Sequence, residues 1–335
     1  MIEGLRAPVR VSVDVTYACD LRCIHCRTNT GEIPIEIRRR MLSIDQLQGL
    51  LYDLDEMGVF EITLTGGEPT LRKGIELLLN QSRDFQASAL TVITNAARYD
   101  REYCDWLIAQ GLLSVRVSVD GTRPIFERIR LEDAFENVLR NLSYFSSRLT
   151  NVRALTTVMA PNFDDVLCLA DVLRRNGVPR QDLIVVRAFG RAARDRGLLL
   201  GPDQILDLKR RVGEYRWEHA GEGFDLRLNA PHLFDPPAGP QDVVMFPYWN
   251  PDSSIAISGT GDVTVSRLNS VAPIGNVKDT PIADIWRRRP RGGKECGVRN
   301  YAMNQELGSK DPDECPTDSY AALLDRQIFA GAEVR

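Results

Sequence analysis

Residues 9–26, Val9-Arg10-Val11-Ser12-Val13-Asp14-Val15-Thr16-Tyr17-Ala18-Cys19-Asp20-Leu21-Arg22-Cys23-Ile24-His25-Cys26, begin as an alternating β-branched run and end in three closely spaced cysteines. The β-branched run from Val9 to Val15 reads as a strand. The thiols therefore belong to the loop that leaves the end of this strand. The same beat continues downstream. Ser43 to Glu56 has helical period with Ser43 as its N-cap, and Glu61 to Thr65 reads as a second strand. Strands are expected at Leu90 to Thr94, Ser114 to Val119, Ala154 to Met159 and Leu183 to Val186. Helices are expected at Arg101 to Gln110, Leu131 to Leu142 and Asp164 to Arg175. Strands alternating with helices build a mostly parallel sheet. Six strands are too few for an eight-stranded barrel, so the expected fold is α/β, a partial (β/α)6 barrel of the TIM type. Its working face would lie at the C-terminal strand ends.

The chain has 335 residues, 43% of them hydrophobic, enough for a large core. Its formal net charge of −4 lacks the positive field of a nucleic-acid binder, and nucleic acid is not expected as a partner. No apolar run approaches the roughly 18 residues of a membrane span, and Met1 to Arg6 is unlike a signal peptide. No membrane partner and a cytoplasmic location are the resulting expectations.

Seven cysteines, an odd number, with three inside eight positions, suit metal ligation better than disulfides. Three thiolates leave a fourth ligand position open. A 4Fe-4S cluster with one iron reserved for another ligand fits this set. A zinc site completed by His25 is the alternative.

Cys19-x3-Cys23-x2-Cys26 after strand one resembles the signature of the radical S-adenosylmethionine (SAM) superfamily, with His25 at its usually aromatic position. Thr65-Gly66-Gly67-Glu68-Pro69 after strand two resembles that family's Gly-Gly-Glu-Pro motif. Two glycines would let backbone approach a ligand, and a carboxylate can receive the SAM ammonium. Val117-Ser118-Val119-Asp120-Gly121 resembles the strand-four segment, and by that resemblance Ser118 and Arg130 would hold the SAM carboxylate. Thr94-Asn95 and Thr156-Thr157-Val158 stand where residues often face SAM, with Asn95 and Thr157 the candidates. Ordinary turn chemistry accounts for Thr and Asn at strand ends equally well. Arg187-Ala188-Phe189-Gly190-Arg191-Ala192 is similar to the segment before the C-terminal extension of many members. The resemblance implies a 4Fe-4S cluster on Cys19, Cys23 and Cys26, SAM as cofactor, and an external one-electron donor such as flavodoxin or ferredoxin.

The expected organisation is a barrel over 1–200, a connecting helix and loop over 201–240, and a small α+β extension over 241–335. Ile255 to Ile257 and Val263 to Val265 flank a hairpin turn. Gly261-Asp262-Val263, Gly275-Asn276-Val277 and Ile282 to Trp286 resemble the SPASM or twitch extension, which usually carries auxiliary clusters. Here Tyr248-Trp249 and Ser266 stand near expected cysteine positions. Cys296 and Cys315 alone cannot make a four-cysteine site, so a single cluster is expected. Cys104 and Cys168 fall on helices and read as small buried apolar residues. Without an auxiliary electron acceptor, redox-neutral outcomes gain weight: epimerisation, elimination or decarboxylation. Cys296 or Cys315 could then return a hydrogen atom to the product radical, and a structural loop cysteine is the competing reading. Arg227, Asn229, His232, Tyr248 and Arg267 could line a substrate pocket. The expected function is tailoring of a sugar, aminoglycoside or nucleoside-like small molecule in natural-product biosynthesis. Maturation of a ribosomally made peptide is the alternative.

Overall fold

The structure is a computed structural model and describes residues 5–229, 253–265 and 273–289. Its strands are β1 (Arg10–Thr16), β2 (Glu61–Gly66), β3 (Ala89–Thr94), β4 (Ser114–Ser118), β5 (Asn151–Val158), β6 (Arg180–Val185), β7 (Asp225–Asn229), β8 (Ser254–Ile257), β9 (Asp262–Thr264) and β10 (Gly275–Asn276). Its helices are α1 (Ile35–Arg39), α2 (Ile44–Glu56), α3 (Ile75–Gln81), α4 (Arg101–Ala109), α5 (Arg123–Arg130), α6 (Phe135–Arg148), α7 (Val166–Arg175), α8 (Pro202–Glu218) and α9 (Ile282–Arg288).

Alternation along the strands separates two environments. On β1, Val11, Val13 and Val15 join Leu47, Leu51 and Leu54 of α2 in the main core, while Ser12, Asp14 and Thr16 are buried on the opposite face. β2 repeats the split, with Ile62 and Leu64 against Glu61, Thr63 and Thr65. The apolar faces meet the helices and the polar faces line the inside of the curved sheet. At its N-terminal end that interior is ionic. Glu61 pairs with Arg116 and lies 3.3 Å from Arg10, while Asp182 lies 2.7 Å from Arg180 and 3.6 Å from Arg153. Buried charges persist only when partnered in this way.

The strands form one sheet in the order β10-β9-β8-β1-β2-β3-β4-β5-β6-β7. β1 to β7 run parallel in sequence order, and all their C-terminal ends reach one rim. The linear order leaves the barrel open, as a partial TIM-type barrel requires.

The structure differs from the sequence expectation in three places. The helix expected over Leu131 to Leu142 starts later, as α6 at Phe135, and α5 precedes it unannounced, with Pro124 in its first turn and Leu131 ending it in the left-handed region at φ 57°. β7 lies inside the stretch expected as a connector and adds a seventh parallel strand, with Leu183 opposite Leu228. The hairpin of β8 and β9 forms as expected, and β8 pairs in parallel with β1, Val11 opposite Ile255. The C-terminal segment thereby extends the barrel sheet. α9 seals this end, with Ile282, Ile285 and Trp286 in the main core.

Candidate functional site

β1 ends at Thr16 and the chain turns into the loop of Cys19, Cys23 and Cys26. Two neighbouring segments hold this loop. From the end of β2, Gly67 N–H donates to the Thr16 carbonyl at 2.7 Å and Glu68 N–H to the Ala18 carbonyl at 2.8 Å. A Cβ on Gly67 would stand 2.1 Å from the Ala18 oxygen, and one on Gly66, whose φ is 120°, would stand 2.3 Å from the Thr16 oxygen. The sequence suggests that these glycines admit a ligand; the backbone they admit first is the cysteine loop itself. From beyond β6, Arg191 N–H donates to the Cys26 carbonyl at 2.9 Å.

The three thiols line one cavity of about 290 Å³ at the C-terminal rim. Thr65, Gly66, Gly67, Glu68, Asn95, Ser118, Arg130 and Thr157 line it too, so eight of the expected binding residues meet there. Pro69 does not; it is buried at the start of a short 3-10 turn, Pro69–Leu71. Asn229 at the end of β7 joins the wall, whereas Arg227 points its guanidinium at Asp225, 2.5 Å away. His232, Tyr248, Arg267, Cys296 and Cys315 lie outside the described residues. Cys104 is buried as expected, but Cys168 is exposed on α7, because it falls between the inward positions Val166 and Leu169.

Burial pushes the Cys19 thiol up to about 11 and also raises Cys23. Burial raises Cys26 as well, but hydrogen bonding to Thr30 at 3.4 Å and Thr28 at 3.6 Å outweighs it and brings the thiol below its ordinary value. Cys26 is thus the readiest thiolate of the three. Among the described residues no three His, Cys, Asp or Glu side chains converge on a point that one metal ion could occupy. Zinc needs such convergence. Three thiols of one loop that line one cavity can supply three of the four ligands of a 4Fe-4S cluster, and in that sense the donor set fits it.

Glu68 is 2% exposed, and its carboxylate organises the rim. Oε1 accepts from the Thr70 hydroxyl at 2.8 Å, the Thr94 hydroxyl at 2.8 Å and the Tyr99 hydroxyl at 3.0 Å, while Oε2 accepts the Asn95 N–H at 2.8 Å. Burial still pushes its pKa up. Oε1 is saturated by these donors, leaving Oε2 as the oxygen for a ligand. Asn95 makes the turn bond expected at a strand end, its Oδ1 accepting the Ala97 N–H at 2.8 Å, and the residue also lines the cavity.

Asp120, part of the strand-four motif, carries a role that the motif alone does not reveal. Its fully buried carboxylate lies 2.6 Å from the Arg130 guanidinium and 3.5 Å from His25 Nε2, and accepts the Thr157 N–H at 2.8 Å. It links three cavity residues from three segments. Burial draws His25 down to about 4, against the pull of Asp120, so the ring is neutral at physiological pH. His25 faces Asp120 and does not complete a thiolate set.

A curved parallel sheet with three thiols, a Gly-Gly-Glu turn and a paired arginine at its C-terminal rim defines an iron–sulfur enzyme built on a partial barrel. Residues 13–173 match the Radical SAM superfamily. The chain is a radical SAM enzyme, and that superfamily uses a 4Fe-4S cluster and SAM. The Fe-coproporphyrin III synthase of Methanosarcina barkeri is 27% identical over 291 residues, 82% of this chain and 72% of the relative. The mycofactocin maturase MftC of Mycolicibacterium smegmatis is 28% identical over 193 residues, 57% of this chain and 48% of the maturase, so the match spans about half of that relative. In fold the chain is similar to Streptococcus suis SuiB, solved bound to its precursor peptide SuiA, with a TM-score of 0.68 over 92% of this chain and 74% of SuiB at 15% identity.

Proposed function

We propose that Cys19, Cys23 and Cys26 hold a single 4Fe-4S cluster and that the chain uses SAM to abstract a hydrogen atom from a small organic substrate. The observation that carries this reading is the meeting of all three thiols, the Gly66-Gly67-Glu68 turn and four strand-end or helix-end polar residues on one cavity wall. A 4Fe-4S cluster held by Cys19, Cys23 and Cys26 would supply the one-electron reduction that cleaves SAM to methionine and a 5'-deoxyadenosyl radical. Arg130, aligned by Asp120, offers its guanidinium with the Ser118 hydroxyl to the SAM carboxylate. Glu68 Oε2 receives the ammonium. Asn95 and Thr157 shape the wall beside them. An external flavodoxin or ferredoxin supplies the electron, in a reducing cytoplasm that leaves the thiols free for loading.

The SPASM-like or twitch-like character of the extension belongs to this proposal, as do the barrel, connector and extension bounds. With a single cluster, redox-neutral tailoring in natural-product biosynthesis remains the favoured outcome. The small molecule would be a sugar, aminoglycoside or nucleoside-like intermediate. A second reading, peptide maturation, is supported by the likeness to MftC and by the fold shared with peptide-bound SuiB.

Anaerobic reconstitution of the wild type and of the triple Ala variant at Cys19, Cys23 and Cys26, assayed for iron, sulfide and 5'-deoxyadenosine, tests the proposal. About four irons in the wild type and none in the variant, with 5'-deoxyadenosine from the wild type alone, is the expected result. Undiminished SAM cleavage by the variant would overturn it. About eight irons, four surviving in the variant, would replace the single-cluster reading.

A further inference from the structure

Arg191 does not line the cavity, yet it holds the cysteine loop at three points. Its side chain is 13% exposed. Its Nε donates to the Cys23 carbonyl at 2.9 Å, its Nη1 to the Thr30 carbonyl at 3.0 Å, and its own N–H to the Cys26 carbonyl at 2.9 Å. One residue therefore grips the loop at two of the three cysteines and at its far end. Gly190 makes the approach feasible: at φ 57° its missing Cβ would otherwise meet the Cys26 carbonyl oxygen at 2.2 Å. Nη2 is buried and has no hydrogen-bond partner among the described residues. The carboxylate that pairs with Arg191, Glu32 Oε1 at 3.3 Å, is 44% exposed and shared with Arg194, so solvent weakens its neutralisation of the guanidinium.

We propose that Arg191 is a positioning residue for the cluster: it docks the cysteine loop on the segment after β6 and lends the cluster a fixed positive charge from behind. The proposal rests on the assignment of Cys19, Cys23 and Cys26 as ligands. Two consequences differ in kind. Backbone gripping needs the planar fork of arginine, which lysine does not reproduce. Charge needs only a cation. A nearby cation stabilises the cluster's more negative, reduced form, and net charge around a cluster is one of the determinants of its potential.

The test uses full-length R191K and R191Q, with R194Q as a control that touches only the exposed side of Glu32. Each is reconstituted anaerobically and followed for iron release to a chelator and for midpoint potential by EPR-monitored titration. Both Arg191 variants should release iron roughly tenfold faster than wild type or more, the scale of losing an outer partner of a metal ligand. R191Q alone should move the potential to a more negative value, and R191K should keep it. R194Q should match wild type in both. Wild-type iron release and potential in both Arg191 variants would overturn the proposal, and so would an equal change in R194Q. Should R191Q fail to fold, iron release from R191K decides, a wild-type rate overturning it. Wild-type protein that binds no iron refutes the ligand assignment instead, so the two failures are distinguishable.

Discussion

The Arg130 guanidinium lies 2.6 Å from the Asp120 carboxylate, and both side chains are buried. The carboxylate fixes where the arginine can point, and through Thr157 N–H and His25 it joins α5, β5 and the cysteine loop. Asp120→Ala should cost about 3 kcal/mol or more in chemical denaturation, since it strands a buried charge. Asp120→Asn keeps the size and should weaken SAM binding by calorimetry on the reconstituted protein. Unaltered SAM affinity in Asp120→Asn would show that Arg130 needs no such orientation.

Gly67→Ala places a methyl 2.1 Å from the Ala18 carbonyl oxygen, a rigid backbone atom at the entry to the cysteine loop. The loop must move, so iron loading should fall sharply even where the barrel still folds. Gly49→Ala is the contrasting case. Gly49 sits inside α2 with nothing within 4 Å of an added methyl, and the change should raise stability by about 1 kcal/mol. Urea denaturation beside an iron assay separates the two.

Local signals make much of this legible in the sequence. The valine alternation of β1 sets its two faces, and Ser43 with Gln46 forms the capping box that starts α2. β7 escapes such a reading because Asp225-Leu226-Arg227-Leu228-Asn229 alternates without a β-branched residue and follows two glycines. The pairing of β8 with β1 is beyond local reading, because nothing in Ser254 to Ile257 encodes which edge it will join. The cysteines and the Gly-Gly-Glu turn are visible as motifs. Their support is not: Tyr99 reaches Glu68 across 31 positions, and Arg191 is one arginine in an arginine-rich stretch.

Asp55, at the end of α2, accepts N–H groups from Gln86 at 2.9 Å, Ala87 at 2.9 Å and Ser88 at 2.8 Å, which sets the approach to β3. Burial raises its pKa, but the three donors outweigh burial and hold it below the ordinary carboxylate value. The unfolded chain therefore takes up this proton first as pH falls. Its stabilisation is intact above the unfolded value of about 4 and is lost as pH drops through the lower folded value. Asp55→Asn should lower stability by about 1–2 kcal/mol at pH 7 and flatten the acid limb of the stability profile. Parallel profiles for the two proteins below pH 5 would count against this.

Trp286 on α9 is 1% exposed, its indole N–H donates to the Leu5 carbonyl at 3.1 Å, and its ring belongs to the same core cluster as Val11 and Leu47. β8 meanwhile hydrogen-bonds to β1, and the Tyr17 hydroxyl accepts the Gly259 N–H at 3.0 Å just beyond it. These ties cross the boundary at which the sequence suggests a separate extension. Trp286→Ala should therefore cost about 3–5 kcal/mol, as large core truncations do. The loss should appear in one cooperative transition of the whole barrel, read by far-ultraviolet circular dichroism and by iron release together. Two transitions, with only the minor one displaced by the substitution, would mean that the C-terminal segment folds independently of the sheet it joins.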